Sequence, residues 1–257
     1  MLQVNSLSVG YGETQVLRGV SLEVGPGELV CLMGRNGVGK TTLLKSVMGL
    51  LRPRSGQVEF EGRDLTRASP DVRARAGIGY VPQGREIFPH LTVLENLRLS
   101  LKYPRGVLAT LVAPFRQDGR ARVEEVLDTV GLGAKAHRQA GTLAHGEKQW
   151  LELGMLMAQD PELLLVDEPV AGMTPRESER TGDLLLAMAR KHTLLVIDHD
   201  MTFVRQIART VTVLHEGKTL CQGTVQEVQR DPKVIQVYLG QDRQDHVVHQ
   251  AAASRLR

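Results

Sequence analysis

A glycine-rich loop between an apolar segment and a helical pattern most constrains how this chain can fold. Residues 34–42 read Gly-Arg-Asn-Gly-Val-Gly-Lys-Thr-Thr, which contains the pattern Gly-x-x-x-x-Gly-Lys-Thr. The wholly apolar run Leu29–Met33 before the loop predicts a buried strand, and the leucines after it predict a helix. Strand, glycine loop and helix in this order are typical of a site for a polyphosphate.

The residues of this loop predict how a phosphate group is held. Gly34, Gly37 and Gly39 allow successive backbone N–H groups to point into one hollow, at the positive end of the following helix. We expect Lys40 to reach the β- and γ-phosphates and the Thr41 hydroxyl to help hold Mg²⁺. The alternative is a glycine-rich turn that contains a lysine by accident. The predicted binding loop is completed by Asn36 and Thr42.

Composition is that of an ordinary folded protein. The 257 residues are 42% apolar and 24% charged, which suits one large domain or two small ones. The net charge of +3 comes from scattered side chains, so we expect no nucleic-acid partner. Cys31 and Cys221 are predicted to be free thiols in a reducing compartment. We expect neither a membrane span nor a signal peptide, because no apolar run of sufficient length is present.

The hydrophobic pattern predicts an α/β fold with a mostly parallel sheet. Residues 2–9 and 16–24 alternate apolar and polar side chains and predict half-buried strands near the N-terminus. Residues 163–168 and 194–199 are apolar runs that predict buried parallel strands, with a helix between them. From about residue 88 to 159 the spacing of apolar residues is helical, which predicts a helical insert.

Polar side chains at the ends of these strands are the candidate catalytic residues. Asp167 and Glu168 follow four apolar residues, and ligands bind at that edge of open α/β sheets. We expect Asp167 to hold Mg²⁺ and Glu168 to polarise the attacking water. His199 ends the next strand and is expected to contact the γ-phosphate, although a packing role is the alternative. The remaining candidates are Gln83 and Tyr11. The Gln83 amide could coordinate the metal or contact the attacking water, and Tyr11 could stack on adenine.

Together these elements resemble the nucleotide-binding subunit of an ABC transporter. Residues 34–42 match the Walker A motif of that family, and residues 163–168 match Walker B with its catalytic glutamate. Gln83, His199 and Tyr11 match the Q-loop, the switch histidine and the adenine-stacking aromatic. The resemblance implies a P-loop NTPase core with an N-terminal antiparallel β subdomain, over residues 1–240. It also implies a helical subdomain over about 88–159 and a loose tail over 241–257.

Within the family, the two halves of the chain resemble different proteins. Residues 1 to about 100 are similar to one ATPase subunit of urea, short-chain amide and branched-chain amino-acid importers. Residues from about 120 are more similar to the other ATPase subunit of the urea importer. Such importers combine both ATPases as a heterodimer, so the resemblance leaves a homodimer and a heterodimer open. Recombination between the two subunits is a further possibility.

The chain departs from the family at its signature motif, which is Leu-Ser-Gly-Gly-Gln at the start of a helix. This chain has Leu-Ala-His-Gly-Glu over residues 143–147. In the family, the signature of one subunit contacts ATP held by the other. Ala144 has no hydroxyl to offer, so we expect ATP-dependent closure to be about ten- to a hundredfold weaker there. Thr174 also stands where the family often has aspartate. The other residues predicted to contact the nucleotide are His145, Gly146 and Glu147.

The resemblance implies an ATP-hydrolysing subunit that uses ATP and Mg²⁺ to power uptake of urea, a short amide or a branched-chain amino acid. It implies three kinds of partner, namely ATP, a second ABC ATPase and separate transmembrane permease subunits. The location would be cytoplasmic, on the inner face of the cell membrane. One alternative is a regulatory subunit that holds ATP while its partner hydrolyses it. Another is an ABC protein of translation or DNA repair, but the two nucleotide domains or the long coiled-coil insert of such proteins are not visible.

Overall fold

The protein is built on two β-sheets, which we describe from a computed structural model covering residues 1–84, 86–101 and 117–239. The first sheet is antiparallel and has the strand order β2-β1-β4-β5. Its strands are β1 (Leu2–Tyr11), β2 (Thr14–Val24), β4 (Ser55–Phe60) and β5 (Arg63–Asp64). Leu2, Val4, Val9 and their partners on β2 alternate with exposed residues, as half-buried strands require.

The second sheet has six strands in the order β10-β9-β3-β8-β7-β6. All neighbours pair in parallel except β9 and β10. Every residue of β3, β7 and β8 is buried, which explains why these strands are apolar apart from Asp167 at the end of β7 and Thr193 at the start of β8. The strands are β3 (Leu29–Met33), β6 (Ile78–Val81), β7 (Leu163–Asp167), β8 (Thr193–Ile197), β9 (Thr210–His215) and β10 (Lys218–Thr224).

Helices cover the second sheet and form most of the chain between β6 and β7. Those flanking the sheet are α1 (Lys40–Val47), α2 (Pro70–Arg75), α6 (Pro175–Met188), α7 (Met201–Ile207), α8 (Val225–Arg230) and α9 (Pro232–Leu239). Those of the predicted helical insert are α3 (Val93–Ser100), α4 (Gln117–Val130) and α5 (His145–Ala158). In the part of the chain described, no helix has the length and apolar character needed to cross a membrane.

The central strands contribute to two hydrophobic cores, one on each face of the sheet. Leu29, Cys31 and Met33 of β3 pack on the side of α3, α4 and α5. Val30 and Leu32 pack on the opposite side, against α1 and the antiparallel sheet. This layering confirms the predicted fold class, a mostly parallel α/β core with an N-terminal antiparallel sheet and inserted helices.

Two local features differ from the sequence analysis, and some of the predicted segments lie outside the described residues. Residues 210–224 form two strands, β9 and β10, that the sequence analysis did not assign. Tyr11 is the last residue of β1 and not part of the following turn. The predicted tail over 241–257, part of the helical insert over 102–116, and Arg85 of the predicted Gln83 segment lie outside the described residues.

A buried arginine fixes the end of α1, the helix that follows the glycine loop. Arg73 is 1% exposed, and its guanidinium donates to the carbonyls of Ser46 and Val47, each at 2.7 Å. It also donates to the carbonyls of Thr66 at 3.0 Å and Ala68 at 3.1 Å. The last carbonyls of a helix lack partners within the helix, so Arg73 pairs that of Val47, whereas that of Ser46 also accepts from the N–H of Gly49 at 3.1 Å.

Replacing Arg73 tests this arrangement. We expect Arg73→Met to lower the free energy of unfolding by about 2–4 kcal/mol, because several buried carbonyls lose a charged donor. The measurement is the urea midpoint without nucleotide. Arg75→Met, two residues away, removes only an exposed ion pair with Asp71 and should cost about 0.5 kcal/mol or less. Equal losses in the two variants would contradict the role given to Arg73.

Candidate functional site

The glycine loop passes close to neighbouring backbone and side chains, and only glycine fits at two positions. A Cβ added to Gly34 would lie 2.6 Å from the carbonyl oxygen of Leu214, and one added to Gly39 would lie 2.6 Å from Cδ2 of Leu17. Gly37 has φ +82° and Gly39 has φ +105°, both left-handed conformations. Gly39 caps α1, so the free N–H groups of the first turn face the hollow of the loop.

Lys40 is folded back onto this loop. Its buried Nζ donates to the carbonyl of Gly34 at 2.7 Å and to that of Arg35 at 3.2 Å. Burial lowers the pKa of Lys40, although the nearby carboxylates of Glu168 and Asp167 oppose the change. An anion placed in the hollow would raise the pKa of this amine again and favour its charged form. The loop is therefore electrostatically suited to phosphate.

An open cavity of about 440 Å³ lies in front of the loop. It brings the loop together with three predicted site residues from elsewhere in the chain, namely Tyr11, Gln83 and Glu168. Tyr11 is 49% exposed, which leaves its ring accessible for stacking. Val16 is a lining residue that the sequence analysis did not predict. The other lining residues are Asn36, Gly37, Gly39, Lys40, Thr41 and Thr42.

The three predicted catalytic side chains converge at the end of β7. The Gln83 amide donates from Nε2 to Glu168 Oε2 at 2.6 Å, and Nδ1 of His199 lies 3.9 Å from Glu168 Oε1. The parallel pairing of β7 with β8 places Asp167 opposite Ile197, so residues 168 and 199 follow at one edge. Glu168 has φ +49°, an uncommon conformation for a residue other than glycine that is often found at functional sites.

Asp167 is a buried carboxylate suited to a cation. It is 1% exposed, and neither carboxylate oxygen has a hydrogen-bond partner among the described residues. Burial raises the pKa of Asp167, against the effect of the neighbouring Thr41 hydroxyl, and the charge of Glu168 raises it further. A buried carboxylate without partners is expected where a metal binds. The described residues hold no cluster of three or more His, Cys, Asp or Glu that could bind a metal ion.

The four signature residues lie apart from this cavity, at the start of α5. Ala144 caps α5 without a side-chain acceptor, and its backbone N–H donates to Glu147 Oε2 at 3.2 Å. Burial disfavours the charge on Glu147, but the hydrogen bonds from Lys135 and from the Ala144 N–H, together with the charges of Lys135 and Arg138, outweigh this effect, so the pKa of Glu147 is lowered. Nε2 of His145 lies 3.1 Å from the carbonyl oxygen of Ala171. The fourth residue, Gly146, is buried at the same helix end.

One buried acid at the site was missed by the sequence analysis. Asp198 follows the last residue of β8, just as Glu168 and Asp167 stand at the end of β7. It is 1% exposed, and its Oδ1 accepts from the backbone N–H groups of His199 at 2.8 Å and Asp200 at 2.9 Å. The available signal was an acidic residue directly after a wholly apolar strand.

Comparison with known proteins places this geometry in a family. The family model described as "ABC transporter" matches residues 17–171, which include the glycine loop, Gln83 and Glu168. The chain belongs to the ABC transporter family. A second model, described as "Branched-chain amino acid ATP-binding cassette transporter", matches residues 218–243.

Relatives of nearly full length support the assignment. The chain is 34% identical to the high-affinity branched-chain amino acid transport ATP-binding protein LivG of Salmonella typhimurium, over 94% of this chain and 98% of LivG. It is 35% identical to the lipopolysaccharide export system ATP-binding protein LptB of Acidithiobacillus ferridurans, over 93% and 97% of the two chains. Relatives in both import and export systems therefore share this cassette.

Solved ABC cassettes have the same fold. The ADP conformation of MJ1267 matches with a TM-score of 0.82 and 28% identity, over 93% of this chain and 98% of that one. A dimeric cassette, MJ0796 with ADP and Pi, matches with a TM-score of 0.75 and 25% identity, over 88% and 99%. These findings confirm the predicted ATP-binding, ATP-hydrolysing ABC transporter subunit and do not support the regulatory alternative. No reported relative is a urea transport protein.

The effect of burying the Asp167 carboxylate can be tested by measuring the free energy of unfolding. Its raised pKa means that the folded chain binds a proton more tightly than the unfolded chain, so stability falls as pH rises through that range. We expect Asp167→Asn to increase the free energy of unfolding of the nucleotide-free chain at pH 7 by about 1–2 kcal/mol. The gain should be smaller at pH 4.5, and Mg²⁺-dependent nucleotide affinity should fall.

Urea unfolding at the two pH values measures this effect. Asp200→Asn is the control, because Asp200 is exposed and asparagine caps a helix equally well. A loss of stability in Asp167→Asn at pH 7, or the same gain in both variants, would show that the buried charge of Asp167 does not destabilise the folded chain.

Proposed function

We propose that this chain hydrolyses ATP at the cavity in front of its glycine loop and thereby drives uptake of a small solute through separate permease subunits. The observation that carries this proposal is that Gln83 and Glu168 line the same cavity as Lys40 and the loop, with His199 beside Glu168. A phosphate held in the loop would present its terminal group to those three side chains.

Binding is assigned to the loop and the cavity rim. The N–H groups of the loop and the first turn of α1 would hold the phosphates, with Lys40 exchanging its two carbonyl partners for phosphate oxygens. Tyr11 would stack on the adenine ring, since it stands at the rim of the same cavity. The side chains of Asn36 and Thr42 line the cavity beside the loop and complete the binding surface.

The metal site is assigned to Thr41, Gln83 and Asp167. The Thr41 hydroxyl and the Asp167 carboxylate would hold Mg²⁺ at the phosphates. The Gln83 amide nitrogen is used by Glu168, so its oxygen is the atom left for the ion. When bound, Mg²⁺ supplies charge neutralisation at the β- and γ-phosphate oxygens.

Hydrolysis is assigned to Glu168 with His199. A water molecule would attack the γ-phosphorus in line, the bond to the β-phosphate oxygen would break, and the water would give its proton to Glu168. In the nucleotide-free chain, Gln83 already donates to this carboxylate at 2.6 Å. The other carboxylate oxygen, Oε1, is not used by this hydrogen bond and would take the proton. His199 would contact the γ-phosphate from the neighbouring strand end.

A dimer is the assembly that this geometry supports, because residues 144–147 do not line the cavity of their own chain. We infer that they contact ATP on a second ABC ATPase subunit, either an identical chain or a related one. Ala144 offers no hydroxyl to that nucleotide. The negative charge of Glu147 is offset by Lys135, so the helix end can still face phosphate.

The test of this function is Glu168→Gln. Because the amide cannot accept the proton of the attacking water, we expect kcat to fall by about 10²–10⁴-fold while ATP is still bound. The measurements are steady-state ATPase activity and the ATP-dependent dimer fraction by sedimentation. Lys40→Ala should lose nucleotide binding, and Glu179→Gln, an exposed glutamate on α6, should behave as the unchanged chain.

The Glu168→Gln variant also allows a test of the signature motif. Adding Ala144→Ser to Glu168→Gln should lengthen the ATP-dependent dimer lifetime by about ten- to a hundredfold, since the hydroxyl restores a hydrogen bond to a charged group. If Glu168→Gln neither retains ATP nor dimerises, alone or with a partner ATPase, the proposed mechanism is wrong.

The cellular location of the chain and the solute that it helps to transport both depend on the permease that it contacts. We infer a position at the cytoplasmic face of the membrane, where a permease would contact the surface formed by Gln83, by residues 86–89 and by the described helices α3 to α5 of the insert. Branched-chain amino acids are the solute best supported, by the match of residues 218–243 and by LivG. Urea or a short amide remains a proposal from the sequence resemblance.

Copurification identifies the permease directly. Membranes solubilised with tagged Glu168→Gln chain and ATP should yield an amino-acid importer permease by mass spectrometry. A urea permease would change the solute, and a lipopolysaccharide export permease would contradict the assignment to uptake.

A further inference from the structure

We propose that Asp198 is a positioning residue that holds His199 against Glu168. The inference rests on the proposed function, since it concerns the same site. Asp198 is the first residue after β8, and its Oδ1 accepts from the N–H of His199 at 2.8 Å and from that of Asp200 at 2.9 Å. These two hydrogen bonds fix the backbone of the turn from which the imidazole projects.

A separate backbone hydrogen bond fixes the position of this turn relative to Glu168. The N–H of Glu168 donates to the carbonyl of Ile197 at 2.9 Å, so the last residue of β8 is tied to the proposed base. Two residues later, Nδ1 of His199 reaches to within 3.9 Å of Glu168 Oε1. The only residue between Ile197 and His199 is Asp198, so its side chain sets how the chain turns between these two contacts.

His199 depends on its backbone for orientation. Its side chain is 58% exposed, so packing constrains it little. Asp198 lies beneath it, fully buried, with Oδ1 4.0 Å from the imidazole Nδ1. A buried backbone anchor with an exposed side chain above it is the arrangement needed to present a polar group to a ligand at a fixed place.

Stability alone does not account for a carboxylate at this position. Asp198 Oδ2 is buried and has no hydrogen-bond partner among the described residues, and burial raises the pKa of Asp198. Charged groups in such surroundings lower stability unless they are paired. Asp200 differs, because it is exposed and its Oδ1 accepts from Thr202 and Phe203, which caps α7. Two aspartates of the same turn thus provide a matched pair of test positions.

The experiment compares Asp198→Ala, Asp198→Asn and Asp200→Ala by ATPase kinetics. We expect Asp198→Ala to lower kcat about tenfold or more, with KM for ATP changed by less than about threefold, because a displaced His199 affects reaction and not binding. Asp198→Asn should recover most of kcat, since an amide oxygen accepts the same two N–H groups. Asp200→Ala should lower the unfolding temperature through the lost cap but keep kcat within about threefold.

Hydrogen exchange without nucleotide gives a readout that does not depend on ATP hydrolysis. Exchange of the His199 and Asp200 amides should be faster in Asp198→Ala and unchanged in Asp198→Asn. The proposal is overturned if Asp198→Ala keeps normal kcat, if Asp198→Asn is as impaired as Asp198→Ala, or if Asp200→Ala lowers kcat equally. Failure of the proposed function would look different, because the unchanged chain would then show no ATPase activity sensitive to Lys40→Ala.

Discussion

The parallel pairing of β3, β8 and β7 is the constraint on which the rest of this structure depends. These three strands are buried along their whole length and lie side by side, so their carboxyl ends meet at one edge. The glycine loop, the turn after β8 and the acidic end of β7 follow those strands. Hydrophobic burial on both faces of the sheet therefore assembles a polar site from segments more than 100 residues apart.

The site is held in a state that costs the nucleotide-free chain stability. Asp167 and one oxygen of Asp198 are buried and have no hydrogen-bond partner within the described part of the chain, burial disfavours the charge on Lys40, and Glu168 has a positive φ. Each of these features lowers stability in isolation, yet all lie at one sheet edge. The two hydrophobic cores and the Arg73 contacts at the far end of α1 supply the rigidity that keeps them in place. A nucleotide with its metal would relieve several of these penalties at once.

Much of this arrangement was predictable from the sequence, and the failures have more than one cause. The glycine loop, the apolar strands and the acidic pair at 167 and 168 carry strong local patterns, so the fold class and the main cavity residues followed from them. Contacts between distant segments carry no such pattern, as with Lys135 and Glu147 or His145 and Ala171. Strands β9 and β10 were overlooked although β9 is apolar and rich in β-branched residues. Asp198 was overlooked because its role depends on a turn.

The hydrogen bond from Gln83 to Glu168 connects the end of β7 to the segment that follows β6. One oxygen of the Glu168 carboxylate, Oε2, accepts from the amide, whereas Oε1 keeps its lone pairs for another donor. The segment after Gln83 is in turn tied to α5, where the Glu152 carboxylate accepts from the backbone N–H of Glu86 at 2.9 Å. A partner that displaced Glu86 would therefore act on α5 directly and on Glu168 through Gln83, three residues earlier in the chain.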